Sequence, residues 1–194
     1  MEDVDLGVCK GRWYAGDPGR VAVVLPGARY LPFAPLLWFT REVALTHGWS
    51  VLEVWDEYCD RSVDPRRWVE VRTEAALAEA GAVEILLVAK SLTSWAVTSA
   101  GERGFPGVWL TPLLHEPEIA RGFKRLRAPA LLVGGTADES WDGELARRSG
   151  HEVLELPGAN HALQLDGDPL GSLDALRAVV ARVDSFFAAR DDAK

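Results

Sequence analysis

Two kinds of segment alternate along the chain. Short apolar runs rich in Val, Ile and Leu occur at 21–25, 51–55, 84–89, 107–110, 130–133 and 152–156. Each run has the length of a strand, and most are apolar on both faces, which is typical of a parallel sheet covered on both sides. The longer stretches between them have spaced apolar residues and predict helices.

Helix signals mark several of these stretches. The stretch 65–80 begins after Asp64 and is followed by Gly81, which are favoured residues at the start and end of a helix. The stretches 33–46 and 172–189 also have helical spacing of apolar residues. This alternation predicts an α/β fold: a three-layer sandwich around a mostly parallel sheet of about six to eight strands.

Length and charge narrow the classes of protein. The chain has 194 residues, so we expect a single domain over 1–194. Its 21 Lys and Arg against 29 Asp and Glu give a net charge of −8, which argues against nucleic acid and anionic membranes as partners. The N-terminus lacks a signal-peptide pattern, and Cys9 and Cys59 form no disulfide framework, so we expect a cytoplasmic protein.

The sequence predicts neither a metal nor a cofactor. The group His115, Glu116 and Glu118 lacks the H-E-x-x-H spacing of a zinc site. No G-x-G-x-x-G follows the first strong strand, where Pro26-Gly27 stands instead, so a dinucleotide-binding domain is not expected.

A serine follows the strand predicted at 84–89. Ser91 lies between this strand and a predicted helix, where a sharp turn exposes a nucleophilic hydroxyl and aims helical N–H groups at the same point. The usual G-x-S-x-G pattern has small residues two before and two after the serine. Here these positions are Ala89 and Thr93, so the motif alone is a weak signal.

Two further strand ends carry an acid and a histidine. Asp138 follows the strand at 130–133 after a Gly-rich turn, and His161 follows the last strand. Alone, Asp138 is more typical of a helix cap and His161 of a surface loop. Glu139 and Asp142 are rival acids, which we expect to be solvated charges at a helix start.

The three signals agree in order and context. Ser91, Asp138 and His161 each follow a predicted strand, in the chain order nucleophile, acid, base. This joint pattern predicts a Ser-His-Asp catalytic triad. The backbone N–H of Leu92 is then one oxyanion donor, and the turn at Gly27 is where a second donor is needed.

Across nearly the whole chain these residues resemble the α/β-hydrolase superfamily. Within it, the chain looks most like the small, lidless bacterial group of dienelactone-hydrolase-like proteins related to the KANL3/Tex30 family. The resemblance rests on LPGARYLPFAPLL at 25–37, LLVAKSLTS at 86–94, VWLTPLL at 108–114, LLVGGTAD at 131–138 and LPGANHAL at 156–163.

The resemblance implies an activity and a role for each site residue. Ser91 is expected to be the nucleophile, His161 the general base and Asp138 its orienting acid, with oxyanion-hole N–H groups from Leu92 and Ala28. The implied function is a serine hydrolase of a small soluble ester or thioester. The alternative is a catalytically silent scaffold of the same fold that acts as a protein-interaction module.

Other residues are candidates for the pocket or the surface. Tyr30, Trp95 and Trp141 lie near strand ends, where they either wall a substrate pocket or pack helices on the sheet. No segment long enough for a lid remains between 110 and 130.

We expect the ammonium of Lys90 to pair with Asp56 or Glu57, or to bind an anionic substrate. Exposed Trp13 or Trp68 would mark an interface, and the sequence leaves the oligomeric state open.

Overall fold

A single eight-stranded sheet is the middle layer of the computed structural model, which describes residues 1–191. The strand order is β1-β2-β4-β3-β5-β6-β7-β8. Strands β3 to β8 are parallel to one another, whereas β2 pairs antiparallel with both β1 and β4. The strands are β1 (Glu2–Asp5), β2 (Lys10–Tyr14), β3 (Asp17–Leu25), β4 (Trp49–Trp55), β5 (Glu84–Lys90), β6 (Gly107–Leu110), β7 (Ala130–Gly135) and β8 (Glu152–Leu156).

Helices cover both faces of the sheet. They are α1 (Pro35–Thr46), α2 (Pro65–Ala80), α3 (Val97–Arg103), α4 (Pro117–Arg125), α5 (Gly143–Arg148) and α6 (Pro169–Asp191), and a 3₁₀ turn spans Ser91–Ala96. Helices α1 and α6 supply apolar side chains to one core cluster, and α2 to α5 supply them to the other.

Alternation along the buried strands divides the core between these two layers. In β3, Val21 and Val23 pack on the side of α2, and Ala22 and Val24 pack on the side of α1. Because successive side chains point to opposite faces, a strand covered on both sides must be apolar throughout. The prediction of a three-layer sandwich is confirmed.

The antiparallel hairpin of β1 and β2 is absent from the sequence-based prediction. Its strands read EDVD and KGRWY, which lack the continuous apolar pattern of the central strands. Charges are typical of edge strands, where they discourage pairing with another chain. A short, polar strand at the edge therefore gives little hydrophobic signal.

The turn between β5 and the 3₁₀ turn forces Ser91 into the left-handed region, at φ 54°. The buried side chain of Thr93 holds this turn together. Its Oγ1 accepts the Lys90 N–H at 3.0 Å and lies 3.1 Å from the Lys90 carbonyl and 3.3 Å from the Leu25 carbonyl, to either of which it donates. The threonine that departs from the usual small residue thus ties the end of β5 to the first turn of the helix.

A charged cluster holds α6 against the end of α1. The His47 ring lies between two carboxylates, with Nδ1 2.7 Å from Asp191 and Nε2 2.9 Å from Asp184. Arg20 also binds Asp191, at 2.6 Å. Burial lowers the pKa of His47, but the hydrogen bonds and charges of the two carboxylates outweigh this effect, so the pKa lies above its ordinary value.

We expect Thr93→Val to destabilise the protein by about 1–3 kcal/mol, because the buried Lys90 N–H loses its acceptor. Thr93→Ser keeps the hydroxyl and should retain most of this stability. Urea denaturation measures both. The exposed Thr98→Val on α3 is the control and should change the unfolding free energy by less than about 0.5 kcal/mol. Equal effects of valine at the two positions would contradict the role of Thr93.

His47→Gln should flatten the pH dependence of stability. Since folding raises the pKa of His47, its contribution is complete below the ordinary value of about 6.5 and disappears as pH rises through the folded-state pKa. The unfolding free energy of the wild type should therefore fall relative to the variant as pH rises above about 6.5, by an amount on the order of 1 kcal/mol. Parallel curves from denaturation at several pH values would refute this expectation.

Candidate active site

The loops that follow β5, β7 and β8 meet at the carboxyl edge of the sheet and bring three polar side chains together. Ser91 Oγ lies 2.7 Å from Nε2 of His161, and Nδ1 of the same ring lies 2.7 Å from Oδ2 of Asp138. Ser91 and His161 are 70 residues apart in the chain. The structure thus joins the three predicted residues into one hydrogen-bonded chain.

The surroundings of Asp138 determine where the protons lie. Burial raises its pKa, but hydrogen bonds from His161 and from the Ser140 N–H outweigh burial, so the pKa lies below its ordinary value. An ionised carboxylate only accepts hydrogen bonds, so Nδ1 of His161 carries the proton and donates it. Nε2 is then free to accept the hydroxyl proton of Ser91.

Glu139 and Asp142, the two rival acids, form no hydrogen bond to His161. Glu139 is exposed, and Asp142 is the N-cap of α5, where its carboxylate accepts the N–H groups of Glu144 and Leu145 at 2.9 Å. The helix cap, which was the alternative role for Asp138 taken alone, is therefore supplied by Asp142. The Asp138 side chain is only 2% exposed, whereas that of His161 is 42% exposed.

The loop after β3 lies beside the serine. Gly27 and Tyr30 exchange backbone hydrogen bonds at 2.9 and 3.5 Å, and the Ala28 carbonyl accepts the Tyr58 N–H. A Cβ at Gly27 would lie 3.0 Å from Cβ of Tyr30 and 3.3 Å from Cγ of Lys90, so the close approach favours glycine. Ala28 and Leu92, the predicted oxyanion donors, line the same cavity as the serine.

This cavity has a volume of about 660 Å³. Tyr30, a predicted pocket residue, lines it, and the Tyr30 hydroxyl accepts the Leu36 N–H at the start of α1. Burial raises the pKa of Tyr30. The residues that surround the cavity are Gly27, Ala28, Arg29, Tyr30, Tyr58, Arg61, Lys90, Ser91, Leu92, His161 and Ala162.

Trp95 and Trp141, the other two pocket candidates, lie outside this lining. Trp95 is half-buried against the core, with Arg66 5.7 Å from its ring. The Trp141 indole lies directly on Gly134 and donates to Glu155 at 2.8 Å. Both side chains pack elements together, which is the structural alternative that the sequence left open.

Four lining residues were not predicted from the sequence, and two of them follow β4. Tyr58 and Arg61 lie in the segment between β4 and α2, and Arg29 and Ala162 are neighbours of predicted site residues. Their position after a strand end was the available signal. Arg29 and Arg61 are exposed, so the mouth of the cavity opens to solvent.

The expected partner of Lys90 was wrong. Asp56 binds Arg72 at 2.7 Å, and the ammonium of Lys90 donates instead to the Thr111 hydroxyl and the His161 carbonyl. The ammonium of Lys90 therefore contacts residues that follow β6 and β8.

Trp68 is also buried, at 5% exposure, and stacks edge-on with Tyr58. It therefore cannot mark an exposed interface. Trp13 remains partly exposed.

Residues 1–191 contain no cluster of three or more His, Cys, Asp or Glu side chains placed to hold a metal ion. In the same residues, no helix is long and apolar enough to cross a membrane.

No protein-family model matches the chain, and no curated protein matches it. Several solved structures match the fold of the chain. Est1E from Butyrivibrio proteoclasticus with bound ferulic acid has a TM-score of 0.75 at 16% identity, over 100% of both chains. An α/β serine hydrolase homologue from Coxiella burnetii has a TM-score of 0.70 at 15% identity, over 93% of this chain and 96% of that one.

A third structure is an α/β serine hydrolase without a lid, from Xanthomonas campestris. Its TM-score is 0.61 at 13% identity, over 89% of this chain and 88% of that one. In the present chain the interval from β6 to β7 holds a single helix, α4, and no lid domain. The sheet order, the covering helices and these similarities establish that the chain has a lidless α/β-hydrolase fold.

Proposed function

We propose that the protein is a serine hydrolase that cleaves a small ester or thioester through an acyl-enzyme intermediate. The observation that carries this proposal is the continuous chain of hydrogen bonds from Ser91 through His161 to Asp138, at 2.7 Å each. This chain opens onto a cavity beside a serine in the left-handed backbone region. The α/β-hydrolase fold and its similarity to solved serine hydrolases and esterases support the same function.

Each triad residue has one role in the proposed reaction. His161 takes the proton of Ser91 as Oγ attacks the acyl carbonyl, and Asp138 stabilises the resulting imidazolium. His161 then returns the proton to the leaving alcohol or thiol, and the carbon–oxygen or carbon–sulfur bond breaks. A water molecule, deprotonated by His161, attacks the acyl-serine and releases the carboxylic acid and Ser91.

Backbone N–H groups of Leu92 and Ala28 are the proposed donors to the tetrahedral oxyanion. Leu92 is the second residue of the 3₁₀ turn, and the first N–H groups of a helix have no acceptor within it. Two hydrogen bonds fix the loop that carries Ala28. The Ala28 carbonyl accepts the Tyr58 N–H, and the Tyr30 hydroxyl accepts the Leu36 N–H at the start of α1. Donors held in place before the reaction stabilise developing charge without reorganisation.

The cavity supports a small substrate. Its volume of about 660 Å³ lies in the usual range for small-molecule sites, and residues 1–191 form no lid domain over it. Tyr30 and Tyr58 contribute aromatic surface to the lining. The Est1E structure contains bound ferulic acid. The proposed substrates therefore include esters of aromatic acids as well as short aliphatic esters and thioesters.

Ser91→Ala should lower kcat by several orders of magnitude, up to about 10⁶-fold, because the nucleophile is lost. The assay is a panel of esters and thioesters graded from acetyl to hexadecanoyl, with methyl ferulate added. We expect the highest kcat/KM for short acyl chains. Ser185→Ala, at an exposed position on α6, is the control and should match the wild type.

Fluorophosphonate labelling distinguishes the proposed serine hydrolase from a catalytically silent scaffold of the same fold. An activated Ser91 should be labelled in the folded wild type but not in Ser91→Ala or in heat-denatured protein. Turnover or labelling that survives Ser91→Ala would refute the role of this serine. Failure of the folded wild type to label would favour the interaction module.

Asp138→Asn should reduce kcat by about 10⁴-fold, because an amide no longer fixes the tautomer of His161 or stabilises its charge. Glu139→Gln is the matched control, since this neighbouring acid is exposed, and it should retain full activity. Steady-state kinetics with the best ester of the panel measures both. Comparable losses in the two variants would show that Asp138 is not the orienting acid.

A further inference from the structure

Lys90 is a buried charged residue that the proposed reaction does not use. It is the last residue of β5, immediately before Ser91, and only 1% of it is exposed. A lysine usually buries its hydrocarbon stem and keeps its ammonium in water. Within residues 1–191 the Lys90 ammonium contacts no carboxylate, so its burial is not explained by an ion pair.

The contacts of Lys90 join three separate parts of the site. Its Nζ donates to Thr111 Oγ1 at 2.5 Å and to the carbonyl of His161 at 2.9 Å, and it lies 5.1 Å from the centre of the Tyr30 ring. These partners follow β6, β8 and β3 respectively. The residue adjacent to the nucleophile thus holds the backbone of the proposed base.

Thr111 is itself held in an unusual conformation. It is fully buried at φ 45°, a region that β-branched residues rarely adopt, and its N–H donates to the Val133 carbonyl at 2.7 Å. Such a conformation persists only where the surroundings enforce it. Here it places the Thr111 hydroxyl against the ammonium of Lys90.

We propose that Lys90 is a positioning residue for His161, holding its backbone carbonyl so that the imidazole stays within reach of Ser91. The proposal rests on the proposed hydrolase function. It assigns Lys90 an indirect role, since the ammonium contacts the backbone of the base rather than the imidazole. A displacement of about 1 Å in a catalytic group can lower a rate about 100-fold, so the restraint matters for turnover.

The charge of Lys90 adds a pH dependence. Burial lowers the pKa of Lys90 to about 7, although the negative charge of Asp138 acts in the opposite direction. The titratable or charged groups around it are Asp138, His161, Tyr30, Tyr58, Arg29 and Arg61. As pH rises through about 7, Lys90 loses its proton, and its hydrogen bonds lose the added strength of a charged donor.

The activity of the wild type should therefore decline at alkaline pH, as Lys90 loses its charge. Lys90→Met keeps the length and volume of the side chain without the donor. It should lower kcat about 10- to 100-fold, leave KM nearly unchanged and abolish the alkaline decline. Lys10→Met, at an exposed lysine of β2, is the control and should leave kcat and the pH profile unchanged.

Thr111→Val provides a second variant. It removes one acceptor of the charged amine while preserving the shape of the side chain, so the alkaline decline should move to lower pH. This variant carries the test if Lys90→Met fails to fold. A pH profile that keeps the wild-type alkaline decline in the folded variants would overturn the proposal, even if kcat falls.

A proton NMR measurement separates this proposal from the hydrolase function. The Nδ1 proton shared by His161 and Asp138 should give a downfield resonance in Ser91→Ala, which cannot turn over substrate through Ser91. Adding Lys90→Met to this variant should broaden or shift that resonance, whereas adding Lys10→Met should not. An unchanged resonance would overturn the positioning role, irrespective of any esterase result.

Discussion

The left-handed backbone at Ser91 is the constraint on which the site depends. A non-glycine residue in this region costs about 1–3 kcal/mol and persists only when its neighbours enforce it. Thr93 does so from the helical side by accepting the Lys90 N–H, and the parallel pairing of β5 with β3 and β6 fixes the strand side. The sharp turn directs Ser91 out of the sheet towards His161.

The site has a second requirement, which is that the loops carrying its residues converge. The parallel sheet brings these loops to one edge. Strands β3, β5, β7 and β8 all end at the same edge, so short loops bring distant parts of the sequence together. Thr111, the residue after β6, lies at the same edge and accepts a hydrogen bond from Lys90. Asp138 is buried and His161 is partly exposed, which suits the fixed carboxylate and the proton-exchanging imidazole of the proposed reaction.

The sequence predicted the central strands, their covering helices and the meeting of Ser91, Asp138 and His161, because each of these follows from a local pattern placed at a strand end. The partners of Lys90 could not be predicted in this way. They depend on the register of β5 against β6 and on the path of the loop after β8, neither of which has a local signal. The large indole of Trp141 packs on Gly134 for a similar reason, since only the packed fold shows where a glycine leaves room.

The single helix between β6 and β7 also affects the timing of the proposed reaction. Where a lid closes over substrate, its opening and product release often limit turnover. Residues 1–191 form no such gate over the cavity, so the bond-breaking steps of the proposed reaction are expected to set its rate. In that reaction, bulk water reaches the acyl-serine through the same open mouth and competes with any other acceptor. This geometry favours transfer of the acyl group to water over transfer to a second alcohol or amine.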